Sequence, residues 1–151
     1  MYRIALAALA AATLATALPA AAQWQKPEDA IKYRQSAMAL QNNHLGRVFG
    51  MAQGRVPFDA SVAAANADIV MTMSKLPYAG FVEGTGGTEK GQPNAKVWSD
   101  RAGFDAAAKK MQDEVVKLAA AARSNNLDAM KAAFGAAGGA CKACHDDYRN
   151  P

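Results

Sequence analysis

Five residues near the end of the chain carry its clearest chemistry: Cys141-Lys142-Ala143-Cys144-His145. On a helix, positions i, i+3 and i+4 share a face. Both sulfurs and the imidazole can therefore reach one flat group lying along that face. Cys-x-x-Cys-His is the attachment pattern of c-type haem: the sulfurs add to two vinyl groups and the histidine meets the iron. Three rival readings compete. A thioredoxin-type redox pair normally opens a helix after a strand, whereas this pair closes a helix in a chain without strand periodicity. Zinc takes four ligands, and the chain offers two cysteines, two histidines and no second cluster. Chance is disfavoured, because a five-residue pattern stands in a cysteine-poor chain.

Other residues fit the same chemistry. Gly135, Gly138 and Gly139 weaken the helix upstream of the motif. Either a flat group or a close helix would explain them. Arg34 falls within an apolar stripe, three residues after Ile31 and four before Met38. A charge there needs a partner, and a haem propionate, a carboxylate or water would serve. Gln35 lies at the edge of the same face. Met38 shares the Arg34 face and is the methionine best placed to lie over an iron, although a methionine on a stripe is more often packing. The second histidine, His44, sits about 120° from Met38 around the helix, on a flank.

The elements that position these residues read as four amphipathic helices. The first opens at Lys26-Pro27-Glu28-Asp29 and runs to about Ala52, with Ile31, Met38, Leu45, Phe49 and Ala52 inward. Its Tyr33, Ala37, Leu40 and Val48 form a second strip that suggests a partner surface, and a two-fold homodimer is the expected form. The second helix is capped by Asp59, stops before Pro77 and shows the stripe Val62, Ile69, Met73 and Leu76. The third starts at Ser99 or Asp100 and buries Phe104, Ala108, Met111, Val115, Leu118 and Ala122. The fourth runs from Asn125 or Asn126 to about Arg149, with Leu127, Met130, Phe134, Ala137, Cys141 and Tyr148 on its stripe. Residues 77–96, rich in glycine, form the one long connection, which could cover an edge of a cofactor. The fold class expected is all-α, an antiparallel four-helix bundle with haem near the C-terminal helix.

Composition agrees. Of the 151 residues 51% are hydrophobic, 7% aromatic and 20% charged, which argues against disorder and against a sheet. Alanine, the best helix former, makes up roughly a quarter of the chain. The net charge of +4 is too mild to mark a nucleic-acid binder. Residues 1–22 read as a secretory signal peptide, with Arg3, an apolar run and Ala20-Ala21-Ala22 before Gln23. Residues 23–151 are then the mature domain, exported and not expected to engage a membrane after cleavage.

Together these residues resemble cytochrome c′, the class II c-type cytochromes. The resemblance covers the mature chain: the opening from Lys26 to Ala37, Leu76-Pro77, Trp98-Ser99-Asp100, Ala132-Ala133-Phe134-Gly135, and the segment from Cys141 to Arg149. Ordinary small c cytochromes carry the attachment motif near the mature N-terminus. The resemblance implies a periplasmic homodimer with one haem c per chain, held by Cys141 and Cys144, with His145 as metal ligand. It places Arg34 and Gln35 at haem-contacting positions, Met38 over the iron and Arg149 on the proximal side. Thr88 and Glu89, in a loop of varying length, match its remaining contacts. It also implies a five-coordinate iron that binds nitric oxide or carbon monoxide and passes single electrons. The alternative is a low-spin electron carrier with Met38 as sixth ligand. A peroxidase is disfavoured, because that chemistry wants a distal acid–base group and His44 is out of phase. The redox partner is not legible.

Overall fold

The structure is a computed structural model, and it describes residues 23–151; the expected signal peptide lies outside them. Four long helices dominate: α1 (Pro27–Ala52), α2 (Ala60–Met73), α4 (Arg101–Arg123) and α5 (Leu127–Tyr148). A single-turn helix, α3 (Lys96–Ser99), leads into α4, and a 3-10 turn (Pro77–Gly80) follows α2. Among the described residues there is no β-strand, and one isolated bridge pairs Pro93 with Arg149.

Local chemistry sets the helix starts. Pro27 begins α1, with Glu28 and Asp29 in the first turn, where acids favour the positive end of the helix dipole. The Asp59 carboxylate accepts from the Ser61 and Val62 N–H groups at 2.8 and 3.0 Å. Asp100 caps α4 through the Gly103 N–H, and Asn126 caps α5 through the Ala129 N–H at 3.0 Å. In α2, α4 and α5 a side-chain oxygen thus meets orphan donors of the first turn at the expected boundary, whereas α1 has no side-chain cap.

Around the bundle α1 packs on α2, α2 on α4 and α4 on α5, and the fourth seam, α5 on α1, is the sparsest of these. The larger core holds Val70, Met111, Val115, Leu118 and Met130, and six of its thirteen buried residues are alanines. Alanine there permits close backbone approach. A second, aromatic core of Phe81, Val97, Phe104 and Tyr148 lies near the cysteine end of α5, with Met38, Tyr78 and Cys144 packed against it.

The α4 stripe is buried as expected. The α2 stripe is not: Val62 is 46% exposed and Ile69 37%, while Ala63, Asn66, Ala67 and Val70 face inward. Because α2 is wedged between α1 and α4, its small residues are the ones that fit. The second strip of α1 is also corrected. Ala37 and Val48 are buried and Tyr33 is half-buried against Trp24; of that strip only Leu40 stays exposed. One side of α1 packs on α2 and the 3-10 turn, and the other, carrying Ile31, Met38 and Leu45, borders a cavity.

Candidate haem cavity

The sparse α1–α5 seam leaves a cavity of roughly 810 Å³. That lies within the ~300–1,000 Å³ of pockets that bury an organic ligand. Cys141, Cys144 and His145 reach it from α5, and Ile31, Arg34, Gln35 and Met38 from α1. Tyr78 and Phe81 close one side, with Thr85, Gly86 and residues 90–93 at the edge. The three residues of the attachment motif therefore open onto one mainly apolar space, as a single flat macrocycle requires.

The thiols fit attachment better than the rival chemistries. Burial pushes the Cys141 thiol up, and burial with neighbouring Cys141 and Asp147 pushes Cys144 up. A redox pair of thioredoxin type works through a lowered thiol pKa, the opposite shift. Among the described residues no cluster of three or more His, Cys, Asp or Glu side chains could hold a bare metal ion. Desolvation, then the Arg149 guanidinium, lowers the pKa of His145, and Asp146 opposes them. A neutral imidazole is the form that binds iron.

Arg34 is 4% exposed, and its partners are in the protein. Its guanidinium donates to the Gly80 carbonyl at 2.9 Å, to Thr85 Oγ1 at 2.7 Å and to the Thr85 carbonyl. It also sits 4.8 Å from the Phe81 ring centroid. Among the described residues it is the loop wall, and no carboxylate, that meets the charge. Desolvation accordingly lowers the Arg34 pKa. The approach is close: a Cβ on Gly80 would stand 2.6 Å from the Ala30 carbonyl oxygen.

Thr88 and Glu89 are exposed and do not line the cavity. The chain has two Gly-Thr pairs three residues apart, Gly84-Thr85 and Gly87-Thr88, and the structure turns the first inward. Gly84 adopts φ +77°, the left-handed conformation that turns the chain there. A Cβ added at Gly135, Gly138 or Gly139 would meet nothing within 4 Å, and none of the three lines the cavity. His44 joins Asn66 across α1 and α2 at 2.9 Å, away from the cavity.

Two residues lining the cavity, Tyr78 and Lys90, escaped sequence reasoning. Tyr78 follows Pro77 at a helix end, which marks a turn but not its direction. Burial keeps its phenol protonated well beyond the ordinary range, with Cys144 and Cys141 adding to the shift. Tyr148 donates to Asp100 at 3.0 Å, tying the motif helix to the α4 cap. Arg149 donates through Nε to the Gly91 carbonyl at 3.0 Å. Lys90 reaches both the cavity and a smaller recess of about 380 Å³ beside His145 and Arg149.

Comparison with known proteins agrees with this geometry. The sequence profile of the family described as Cytochrome C' matches residues 29–149. The chain is 53% identical over 127 residues to cytochrome c' of Rubrivivax gelatinosus, covering 84% of this chain and 98% of the relative. It is 47% identical over 127 residues to cytochrome c' of Alcaligenes xylosoxydans xylosoxydans, with the same coverage. A nitric oxide complex of a cytochrome c prime mutant from Alcaligenes xylosoxidans superposes with a TM-score of 0.78 at 46% identity, covering 85% of this chain and 98% of that one.

Proposed function

The chain belongs to the cytochrome c′ family, whose members bind haem c covalently, and from that premise we propose that it is a periplasmic protein binding nitric oxide or carbon monoxide at an iron with one open side, and passing single electrons. Cys141 and Cys144 would hold the haem through thioethers, and His145 would supply the proximal nitrogen. Bound haem c supplies an iron able to take one diatomic ligand and exchange one electron. The chain supplies the enclosure, the proximal nitrogen and the character of the facing wall.

One observation carries this reading: His145 and both cysteines open onto a cavity whose α1 wall presents Met38, while among the described residues no carboxylate and no second histidine lines it. The Met38 side chain donates no hydrogen bond, so it does not favour dioxygen, whose partial charge wants a donor. A wall without an acid–base pair also lacks what peroxide cleavage needs. Gln35, Arg34 and the Thr85 wall border the haem on the α1 side, with Arg34 acting through the loop it holds. The nitric oxide complex of the Alcaligenes relative supports the gas chemistry. With haem bound, His145 would be the iron ligand open to displacement by nitric oxide, as the family resemblance implies, and Arg149 lines the recess beside it.

Leu40, Val62 and Ile69, exposed on the adjacent α1 and α2, support a homodimer through that face. A second reading is favoured by the thioether itself: Met38 is also a potential sixth ligand, which would make the protein a low-spin electron carrier. Absorption spectra of purified protein separate the two. Reaction of the ferrous form with carbon monoxide and a high-spin ferric spectrum are expected. A ferric methionine–sulfur band in the far red, with no carbon monoxide reaction, would reject gas binding.

A further inference from the structure

Asn150 follows the motif helix by two residues, and the function above does not use it. Four hydrogen bonds tie it to the 87–92 segment. Its backbone N–H donates to the Gln92 carbonyl at 2.9 Å, and its carbonyl accepts from the Gly91 N–H at 3.0 Å. Its side-chain Nδ2 donates to the carbonyls of Gly87 at 2.8 Å and Glu89 at 3.2 Å. The segment so held contains Gly87 and Gly91, the latter at φ +82°, so it has little stiffness of its own. It also supplies the Gly91 carbonyl that accepts from Arg149 Nε at 3.0 Å. Contact there is tight, since a Cβ on Gly91 would stand 2.9 Å from the Arg149 guanidinium. Lys90, Gly91 and Arg149 wall the recess beside His145.

We propose that Asn150 is a positioning residue for the proximal side of the haem: it clamps the 87–92 segment so that the Gly91 carbonyl holds the Arg149 guanidinium beside His145. The proposal rests on the reading that this protein takes up nitric oxide and that His145 can be displaced. The backbone bonds of Asn150 survive any ordinary side-chain change, so the amide is the separable part of the clamp. Without it, the carbonyls of Gly87 and Glu89 turn to water, the loop loosens, and the guanidinium swings away from the histidine.

The test uses full-length, haem-loaded protein and the variant Asn150→Ala. Amide hydrogen exchange at Gly91 should quicken by about tenfold, the effect of losing two neutral hydrogen bonds. On mixing ferrous protein with nitric oxide, the initial uptake should stay within about twofold of wild type, whereas the later phase that releases His145 should quicken by about tenfold. Asn150→Asp, which lacks the donors when ionised, should behave like the alanine variant at neutral pH. In an Arg149→Ala background the Asn150 effect should vanish, because the transmitting side chain is gone. Unchanged exchange at Gly91 overturns the clamp. Faster exchange with an unchanged or slower later phase overturns the positioning role. Wild-type protein that takes up no nitric oxide overturns the gas-binding reading and the proposal with it. That failure is told apart from a failed clamp, because exchange at Gly91 is read without nitric oxide.

Discussion

Replacing Arg34 with leucine should destabilise the folded protein by about 3–4 kcal/mol. The guanidinium makes three hydrogen bonds to the wall of the haem cavity, two of them to the main-chain carbonyls of Gly80 and Thr85. Leucine fills much of the volume but leaves those carbonyls without a donor, at about 1–3 kcal/mol each when buried. The Thr85 hydroxyl loses less, because it still donates to the Val82 carbonyl at 2.7 Å. Loss of the cation over Phe81 adds about 0.5–2 kcal/mol. Against these stands the relief of a desolvated charge, a cost visible in the lowered Arg34 pKa. For a domain of this size, the net effect corresponds to a fall of roughly 10–15 °C in Tm. Thermal unfolding of haem-loaded protein followed by far-UV circular dichroism measures it. Arg34→Lys keeps the charge but not the planar fork, and should recover less than half of the loss. A loss below about 1 kcal/mol for Arg34→Leu, with hydrogen exchange at 80–85 unchanged, would refute the view that this side chain holds the loop wall.

Three further outcomes are expected of the same structure. Gly80→Ala forces a Cβ to within 2.6 Å of the Ala30 carbonyl oxygen; the 3-10 turn must shift off α1, and urea unfolding should register about 1–3 kcal/mol of lost stability. The Tyr148 pKa is pushed up to about 12 by burial and by the hydrogen bond to Asp100, against an ordinary value of 10.0. An acid whose folded pKa is raised contributes stability that is full below the unfolded value and is lost as pH climbs through the folded one. Stability should therefore decline between about pH 10 and 12 through this group, and Tyr148→Phe should flatten that part of the profile. Val62→Lys and Ile69→Lys alter side chains already exposed in the monomer. Sedimentation velocity should show dissociation of the proposed homodimer with unchanged helix content, and an unaffected dimer would move the interface elsewhere.

The attachment chemistry was legible because it is local. Cys141, Cys144 and His145 need only the helical period to share a face, and three or four residues of sequence define that period. Helix starts were legible for the same reason: Asp59, Asp100 and Asn126 act on N–H groups two or three residues away. Phase around the helix was legible in α4, whose expected stripe is buried, but not in α2. In α2 the larger apolar residues, Val62 and Ile69, face outward, while Ala63 and Ala67 face the core. Size-weighted periodicity favours the former, but close approach between two neighbouring helices favours the latter.

Arg34 shows the same division at the site. Its place in an apolar stripe already required a partner, because a buried guanidinium without one is costly. Which partner it met depended on how a glycine-rich loop, forty-six and fifty-one positions away in sequence, folds back over α1. Loop register likewise decided that Thr85, not Thr88, turns inward, and that Asn150 meets residues 87–92. By itself the sequence determined the helices, their caps and the cofactor chemistry, since those interactions act over a few residues. The tertiary structure alone decided which face of α2 is buried, what satisfies Arg34 and which segment Asn150 meets, since those depend on contacts between segments far apart along the chain.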